Sequence, residues 1–427
     1  MDSLYFSHIK SLTSFYQDTL ERFQLDQIII ASGTKSYYFQ DDYTHPFKPY
    51  AYAQQWLPFD VEPDTFIVIS NHSKPTLIWP LKEDFWHAQQ NLPEGSWSDL
   101  WTIKPTRANE NWADTIKGKT MWLGQDIAGL SDKFGRYDKT LAWLDYHRAY
   151  KSDYEVDLLK QANVRALKGH HAAEKAFFEG KSELDIYLDY LRTSQQTSPQ
   201  EPYSGIIALN QNAAVLHYEH KQIQSPDKFR TLLIDAGAKV TGYGSDITRT
   251  FTTDNNLFNE LLCKMDQIQQ SLANKSIAGT DYKALHATCL TEIANLLQES
   301  QICSLSAEEQ ISKGITQTFF PHGLGHLLGL QVHDVGGHQV TPEGDILKPP
   351  SSAPFLRLTR KLEENMVITI EPGLYFIPML LEKMQQSLPQ HGCDMALIKT
   401  LIPFGGIRIE DNVLVKQNIS ENLTRNS

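Results

Sequence analysis

The chain has 427 residues, 41% hydrophobic and 21% charged, with a formal net charge of −12, which indicates a globular protein of two or three domains. Lysine and arginine are scattered along the chain, so no basic cluster favours nucleic acid as a partner. No run of 18 apolar residues is present and the start, MDSLYFSHIK, lacks a signal-peptide pattern, so we expect no membrane association and a cytoplasmic protein.

The first 150 residues alternate short apolar runs with helical patterns. Residues 26–32, 65–70 and 120–126 are predicted strands. Residues 37–59 contain nine aromatic residues and three prolines. Two interpretations of this segment stay open: a structured loop packed on its own domain, and a contact surface of an oligomer. We expect residues 1–150 to form a smaller α/β domain.

A long helix opens the second predicted domain, residues 151–427. Ser152 and Glu155 have the spacing of a capping box, and Gly180 supplies a stop. Another helix is predicted from Ser182. From about residue 204 the pattern is rich in strands, interrupted by helices near 257–275 and 281–299. Strands and helices segregated in this way predict an α+β fold.

The four cysteines, Cys263, Cys289, Cys303 and Cys393, are widely spaced and form no CxxC pair. This spacing fits buried thiols in a reducing compartment better than a disulfide framework or a thiolate zinc site.

Four carboxylates interrupt or end apolar strand patterns. Asp235 ends TLLID, Asp246 opens DITRTF, Glu371 follows VITI and Glu410 follows GIRI. A hairpin over residues 231–251, turning about residues 240–241, would place Asp235 directly opposite Asp246. Buried carboxylates this close repel each other unless a cation or a shared proton lies between them.

The stretch PHGLGHLLGLQVHDVGGH, residues 321–338, contains four histidines and five glycines. It lacks the HExxH pattern of helical zinc peptidases, and its proline and glycines disfavour a helix. We expect a tight loop whose glycines allow close backbone approach to a site. Four carboxylates and one neutral imidazole would balance two divalent cations, which could hold a bridging hydroxide. Oxygen-rich ligation favours Mn²⁺, with Co²⁺, Fe²⁺ and Zn²⁺ as the alternatives.

The order IDAG, GSDITRTF, PHGLGHLLGLQVHDVGG, ITIEPGLYF, GGIRIEDN resembles the metal-dependent pita-bread peptidases, specifically the bacterial Xaa-Pro dipeptidases (prolidases) and the related organophosphorus acid anhydrolase branch. Looser similarity extends through SYYFQDDY (36–43) and DFWH (84–87). The resemblance implies an α+β fold in which a pita-bread catalytic domain follows the smaller amino-terminal domain. It also implies a homodimer in which the amino-terminal domain of one subunit approaches the active site of the other.

The resemblance also implies a role for each matching residue. The dinuclear metal ligands would be Asp235, Asp246, His326, Glu371 and Glu410. Asp246 and Glu410 would bridge both ions, Asp235 would complete one, and His326 with Glu371 would complete the other.

Residues that match substrate-contacting positions are His217, His333, His322, Tyr203 and Arg408. His217 and His333 are the candidate donors to the carbonyl oxygen, and Glu371 the candidate proton carrier. For Arg408 two interpretations stay open: it grips the dipeptide carboxylate, or it pairs with a metal ligand and orients it. His338 receives no role.

We therefore expect an enzyme that hydrolyses the imide bond of Xaa-Pro dipeptides with a hydroxide bridging two metal ions. Three alternatives remain: an aminopeptidase that acts on longer Xaa-Pro peptides, an organophosphorus acid anhydrolase as the main or a side activity, and a binding module or chaperone of the same fold. Retention of all five ligands argues against the last of these.

Overall fold

The computed structural model describes residues 2–81, 85–86, 91–107 and 111–426. The chain divides into two compact units, Met1–Leu144 with Ser152–Tyr154, and Asp145–Lys151 with Glu155–Ser427. Asp84 and His87 of the DFWH segment lie outside the described residues. No helix of the described segments is long and apolar enough to cross a membrane.

The first unit contains one sheet and the helices around it. Its elements are α1 (Asp2–Phe23), β1 (Gln27–Ala31), α2 (Ala51–Gln54), β2 (Phe66–Ser70), β3 (Thr76–Pro80), β4 (Thr102–Thr106), β5 (Thr120–Leu123) and α3 (Asp138–Arg148), whose last turn belongs to the second unit.

The strands form one mixed sheet in the order β4-β3-β2-β1-β5. β1 pairs in parallel with β5 and antiparallel with β2. The three predicted strands are confirmed: they are present as β1, β2 and β5, and their apolar runs are buried. β3 and β4 were not predicted; β4 is mostly exposed and its sequence, TIKPT, shows no apolar run.

The aromatic segment 37–59 behaves differently at its two ends. Tyr52 and Trp56 are buried in the core of the unit. Tyr37, Phe39 and Tyr43 are 64%, 91% and 69% exposed, and an isolated bridge joins residues 37 and 44. The segment is therefore a packed loop at its carboxyl end and an exposed aromatic tip at its amino end.

The second unit contains most of the helices and the remaining strands. Its elements are α4 (Asp153–Phe178), α5 (Glu183–Thr193), β6 (Ile206–Leu209), β7 (Thr231–Asp235), β8 (Lys239–Val240), β9 (Tyr243–Gly244), β10 (Thr248–Thr252), α6 (Leu257–Asn274), α7 (Tyr282–Glu299), α8 (Ala307–Ser312), α9 (Ile315–Phe319), β11 (Val367–Ile370), β12 (Gly373–Tyr375), α10 (Pro378–Ser387), α11 (Met395–Leu401), β13 (Gly406–Arg408), β14 (Asp411–Leu414) and β15 (Glu421–Asn422).

The helices predicted from Ser152, from Ser182 and over 257–275 and 281–299 are present as α4, α5, α6 and α7. The strands form small sheets in the orders β10-β7-β6 and β11-β14-β15, with the pairs β12-β13 and β8-β9. Single bridges join Thr248 to Glu410 and Leu327 to Ile368. The first bridge brings the β7–β10 hairpin to the segment between β13 and β14, and the second brings the histidine loop, residues 321–338, to β11, which pairs with β14.

The predicted hairpin is present, but its predicted register is wrong. β8 and β9 pair Val240 with Tyr243, so the turn lies at Thr241 and Gly242, which both have positive φ. The turn is therefore one residue later than predicted, and Asp235 pairs with Thr248 instead of Asp246. Asp246, two residues before Thr248, lies diagonally from Asp235 on the same face of the hairpin.

Candidate metal centre

The β7–β10 hairpin supplies two carboxylates to one buried site. Asp235 ends β7, and its Oδ2 accepts a hydrogen bond of 2.7 Å from Nη2 of Arg408. Oδ1 of Asp235 is buried and has no hydrogen-bond partner within the described ranges. Asp246 precedes β10 and is 6% exposed. A buried oxygen without a partner costs free energy, which indicates that Asp235 is built to meet a ligand.

His326 lies on the predicted tight loop, which runs directly alongside β11 in space. A Cβ on Gly325 would lie 2.2 Å from the Thr369 carbonyl oxygen, so only glycine allows this approach. Nδ1 of His326 lies 3.0 Å from the Leu327 carbonyl oxygen and donates to it. Nε2 faces the carboxylates, and it lies 3.4 Å from Asp246 Oδ2 and 3.8 Å from Glu371 Oε1.

Glu371 and Glu410 come from the neighbouring strands. Glu371 follows β11 directly, and its N–H donates to the Leu324 carbonyl at 2.9 Å. Glu410 connects β13 with β14, and its N–H donates to the Thr248 carbonyl at 3.0 Å. The Thr248 hydroxyl donates to Glu410 Oε2 at 2.8 Å. The main chain of each glutamate is thus hydrogen-bonded to the backbone of an adjacent segment, which fixes the position of its side chain.

The proton affinities of these carboxyl groups reflect burial and mutual repulsion. Burial raises the pKa of Glu371 to about 7 and the pKa of Asp235 above its ordinary value. Burial, and next to it the charge of Asp246, raises the pKa of Glu410 well above its ordinary value. Burial is the largest single effect on Asp246 and acts to raise its pKa, but the hydrogen bond and the charge of His326, together with Tyr203 and His333, outweigh it, so the pKa is lowered. The site therefore holds more acidic oxygens than its own positive groups can neutralise.

The chemistry of this donor set fits divalent cations. Ligand atoms of Asp246, His326 and Glu410 all lie within 4.8 Å of one another, and all three side chains are buried. Asp235 adds an unpartnered oxygen, and Glu371 adds an oxygen beside Nε2 of His326. Carboxylates with one imidazole are ligands that Mn²⁺ and similar ions accept.

His322 and Arg408 meet at a tyrosine that the sequence did not single out. Nδ1 of His322 donates to the Gly323 carbonyl at 2.8 Å, so Nε2 accepts from the Tyr375 hydroxyl at 2.8 Å. The same hydroxyl accepts from Nη1 of Arg408 at 3.0 Å. Burial lowers the pKa of His322 to about 3, so this imidazole is neutral at physiological pH. Tyr375 lies four residues after Glu371 in the sequence EPGLYF, and this closeness to a predicted ligand is the sequence feature that could have identified it. In the structure it lies on β12, which pairs with β13, the strand that ends at Arg408.

Arg408 is 4% exposed and surrounded by protein acceptors. Its Nη2 pairs with Asp235, its Nη1 contacts Tyr375, and its Nε lies 3.2 Å from the Thr248 hydroxyl. Of the two interpretations of this residue, the contacts support the one in which it pairs with and orients a ligand.

The remaining predicted substrate residues border this cluster. The ring of His333 lies edge-on to that of His326, with 4.4 Å between centroids, and burial lowers the pKa of His333 to about 4. His217 is exposed, and its charge lowers the pKa of both His322 and His333. The Tyr203 hydroxyl is buried, and Asp235 and Asp246 help to raise its pKa after burial itself.

His338 received no role in the sequence analysis, and its described side-chain contact is with Thr359. Its Nδ1 lies 3.2 Å from the Thr359 hydroxyl.

A buried ion cluster holds the segment that carries His333. Asp334 is the next residue, and its carboxylate contacts Arg148 and lies 2.9 Å from Nζ of Lys151. The three side chains are 1–3% exposed. Burial acts to raise the pKa of Asp334, but Arg148 and Lys151 outweigh it and lower that pKa. Sequence reasoning missed this cluster because its partners lie more than 180 residues apart.

Comparison with known proteins accounts for the whole chain. Residues 157–417 match metallopeptidase family M24, and residues 3–141 match the Xaa-Pro dipeptidase, N-terminal domain. The Xaa-Pro dipeptidase of Shewanella pealeana is 39% identical over 431 residues, which cover 99% of this chain and 98% of that protein. The Xaa-Pro dipeptidase of Shewanella woodyi is 40% identical over 425 residues, 98% and 97% of the two chains.

Solved structures establish the fold. Zn-substituted aminopeptidase P of E. coli, in complex with product, superposes with a TM-score of 0.75 at 19% identity, over 100% of this chain and 95% of that one. Aminopeptidase PepP of Pseudomonas aeruginosa gives 0.73 at 21% identity, over 100% and 95%. The predicted architecture, a pita-bread domain after a smaller amino-terminal domain, is confirmed.

Proposed function

The chain belongs to metallopeptidase family M24, and from this membership and its full-length similarity to Xaa-Pro dipeptidases we propose that it hydrolyses the imide bond of Xaa-Pro dipeptides. One observation supports this most directly: Asp246, His326 and Glu410, three buried residues from separate segments, present ligand atoms within 4.8 Å of one another. A binding module would not need two buried carboxylates and an imidazole held this close together.

Membership of this family implies divalent metal ions. Two ions would be held by Asp235, Asp246, His326, Glu371 and Glu410, with Asp246 and Glu410 shared between them. The 3.4 Å separation of His326 from Asp246 supports this grouping. The predominance of oxygen ligands favours Mn²⁺. When bound, the ions would supply Lewis-acid activation of water and of the scissile carbonyl.

The protein's own groups would orient the substrate and move a proton. A neutral His333 keeps an N–H that can donate to the carbonyl oxygen, with His217 as the second candidate. Glu371, which lies beside His326, is the candidate group that accepts a proton from water and releases it to the proline nitrogen. That transfer matters because the prolyl nitrogen must leave as an amine.

To bind the carboxylate of the dipeptide, the enzyme needs a positively charged side chain that is not already paired with a metal ligand. Arg408 is engaged by Asp235, Tyr375 and Thr248, so we assign it the positioning of Asp235. Arg357 is exposed, and its charge lowers the pKa of His333. We propose Arg357, whose charge acts on the candidate carbonyl donor His333, as the group that receives the carboxylate.

A substrate panel tests the function. After reconstitution with Mn²⁺, the enzyme should hydrolyse Xaa-Pro dipeptides and leave Xaa-Pro-Yaa tripeptides nearly unchanged. Rapid release of the first residue from the tripeptides would identify an aminopeptidase instead. Absence of hydrolysis with two bound ions per chain would remove both assignments.

A paired substitution tests the two arginines. Arg357→Met should raise KM for an Xaa-Pro dipeptide several-fold, as expected for loss of a charged contact at an exposed side chain, and leave the C-terminal amide unaffected. Arg408→Met should lower the metal content and impair both substrates equally. If instead Arg408→Met weakened binding of the dipeptide alone and Arg357→Met had no such effect, Arg408 would be the residue that binds the carboxylate.

The domain limits, oligomeric state and location also remain proposals. We assign the amino-terminal domain to residues 1–150 and the catalytic domain to 151–427. We propose a homodimer, supported by the exposed rings of Tyr37, Phe39 and Tyr43. Sedimentation should give a dimer at micromolar concentration. A cytoplasmic location fits the four free cysteines.

A further inference from the structure

Two of the four cysteines face each other across a short backbone pairing in the second unit. Cys303 lies after α7 and Cys393 before α11, and an isolated antiparallel bridge joins them. The flanking hydrogen bonds run from Ser304 N–H to the Gly392 carbonyl at 2.8 Å and from Asp394 N–H to the Ile302 carbonyl at 2.9 Å. The two cysteines therefore form a pair that exchanges no backbone hydrogen bonds between its own members. Such pairs have Cα atoms about 4.5 Å apart, within the range of about 4.4–6.8 Å that a disulfide spans.

The sulfur atoms also converge. Sγ of Cys303 lies 3.7 Å and Sγ of Cys393 3.6 Å from the same acceptor, the carbonyl oxygen of His391. Cys303 is 1% exposed, whereas Cys393 is half-buried and gives a small reagent access from one side. Cys263 is exposed and Cys289 is fully buried, so the reactivity of the pair can be compared with that of an accessible and an inaccessible thiol in the same chain.

We propose that Cys303 and Cys393 are a thiol pair that a low-molecular-weight disulfide converts into a reversible intramolecular disulfide. The Cys393 thiolate attacks the reagent, forming a mixed disulfide and releasing one reagent thiol. The Cys303 thiolate then attacks the sulfur of Cys393 and releases the second. The protein loses two protons and two electrons, and the reagent is reduced to two thiols. Burial raises the pKa of the Cys393 thiol, so the exchange takes minutes to hours at neutral pH.

The bond would tie together a part of the chain that matters to the metal centre. The loop that it closes, residues 303–393, contains His326 and Glu371. Closing a loop of this length restricts the unfolded chain and therefore stabilises the folded one. Because the described contacts of neither cysteine involve a proposed metal ligand, activity should remain within about twofold while thermal stability rises.

The experiment uses the full-length, metal-loaded protein with oxidised glutathione. In the Cys263→Ser protein, which lacks the exposed thiol, two of the three remaining thiols should disappear without a retained glutathione, the mass should fall by two hydrogens, and digestion should give a peptide linking Cys303 to Cys393. The melting temperature should rise by roughly 4–8 °C and return after dithiothreitol.

Substitutions at the half-buried and exposed cysteines provide the controls. Cys393→Ser should abolish the linked peptide and the rise in melting temperature, and Cys263→Ser should retain both. The proposal is overturned if Cys393 stops at a stable glutathione adduct with Cys303 free, or if only Cys263 reacts. A linked pair with an unchanged melting temperature would overturn the stabilising role.

Discussion

Asp334→Asn is a substitution for which the structure predicts a large loss of stability without a change in side-chain size. Asp334 is the shared anion of two buried cations, Arg148 and Lys151. An amide of the same size fills the same space but carries no charge. Lys151 would then remain buried without a counter-charge, because it otherwise contacts only the carbonyl oxygens of residues 148 and 149 among its described hydrogen bonds.

The magnitude follows from the depth of the cluster. Removing one member of a buried ion pair costs about 3–5 kcal/mol, because the partner's charge stays desolvated. In a unit of this size each kcal/mol lowers the melting temperature by about 2 °C, so we expect a fall of roughly 6–10 °C. The loop that carries His333 should loosen at the same time, since Asp334 also donates its N–H to the Leu327 carbonyl at 2.9 Å.

Thermal unfolding of matched variants measures this effect. Glu299→Gln is the control, because it also turns a carboxylate into an amide and breaks a pair of 2.6 Å with Lys264, but both side chains are more than half exposed. It should cost less than about 1 kcal/mol. Adding Lys151→Met to Asp334→Asn should recover part of the loss. If Asp334→Asn proved no more harmful than the control, the buried cluster would not be the support that we infer.

Three further predictions concern the metal centre. Glu410→Gln should reduce the metal content below two ions per chain and turnover by orders of magnitude; two retained ions with normal turnover would contradict its bridging role. His333→Asn should lower turnover by about 10²–10³ with both ions retained, and metal loss would make it a support of the site instead. For apoprotein prepared with a chelator, the raised pKa of Glu371 means that its contribution to stability is complete below its ordinary pKa of 4.5 and is lost as pH rises through about 7. That contribution is about 3 kcal/mol, so the apoprotein melting temperature should fall from pH 5 to pH 8, and a flat profile would refute the assignment.

Most elements of the fold could be read from periodicity, and the failures have local causes. The buried strands of the first sheet are continuous apolar runs, whereas β4 contains lysine and proline on an exposed edge and gives no such signal. The turn of the hairpin was predicted one residue too early, which shifts the pairing by two residues, because Gly242 with its positive φ permits a two-residue turn after Val240. Strand patterns identify partners, but turn chemistry determines which residues face each other.

The candidate ligands could be predicted because an acid buried in an apolar strand is costly unless a cation or a donor meets it. What the sequence could not give was their support. Thr248 contacts Glu410 across 162 residues, and Arg408 reaches Asp235 across 173. Contacts at such separations leave no periodic trace, and the alternatives for Arg408 could be weighed only when its three neighbours were visible.

The distribution of the ligands along the chain has a consequence for how the protein matures. Asp235 and Asp246 lie on one hairpin, and hairpins close within about 1–10 μs. The pairing of Thr248 with Glu410 instead requires the ends of a very long loop to meet, which is slow and depends on the intervening helices having folded. During synthesis the chain therefore presents two carboxylates long before the other ligands, and such a partial site binds cations only weakly. We therefore expect metal acquisition to be among the last events of folding, so that the completed candidate site, and not the emerging chain, selects the ions.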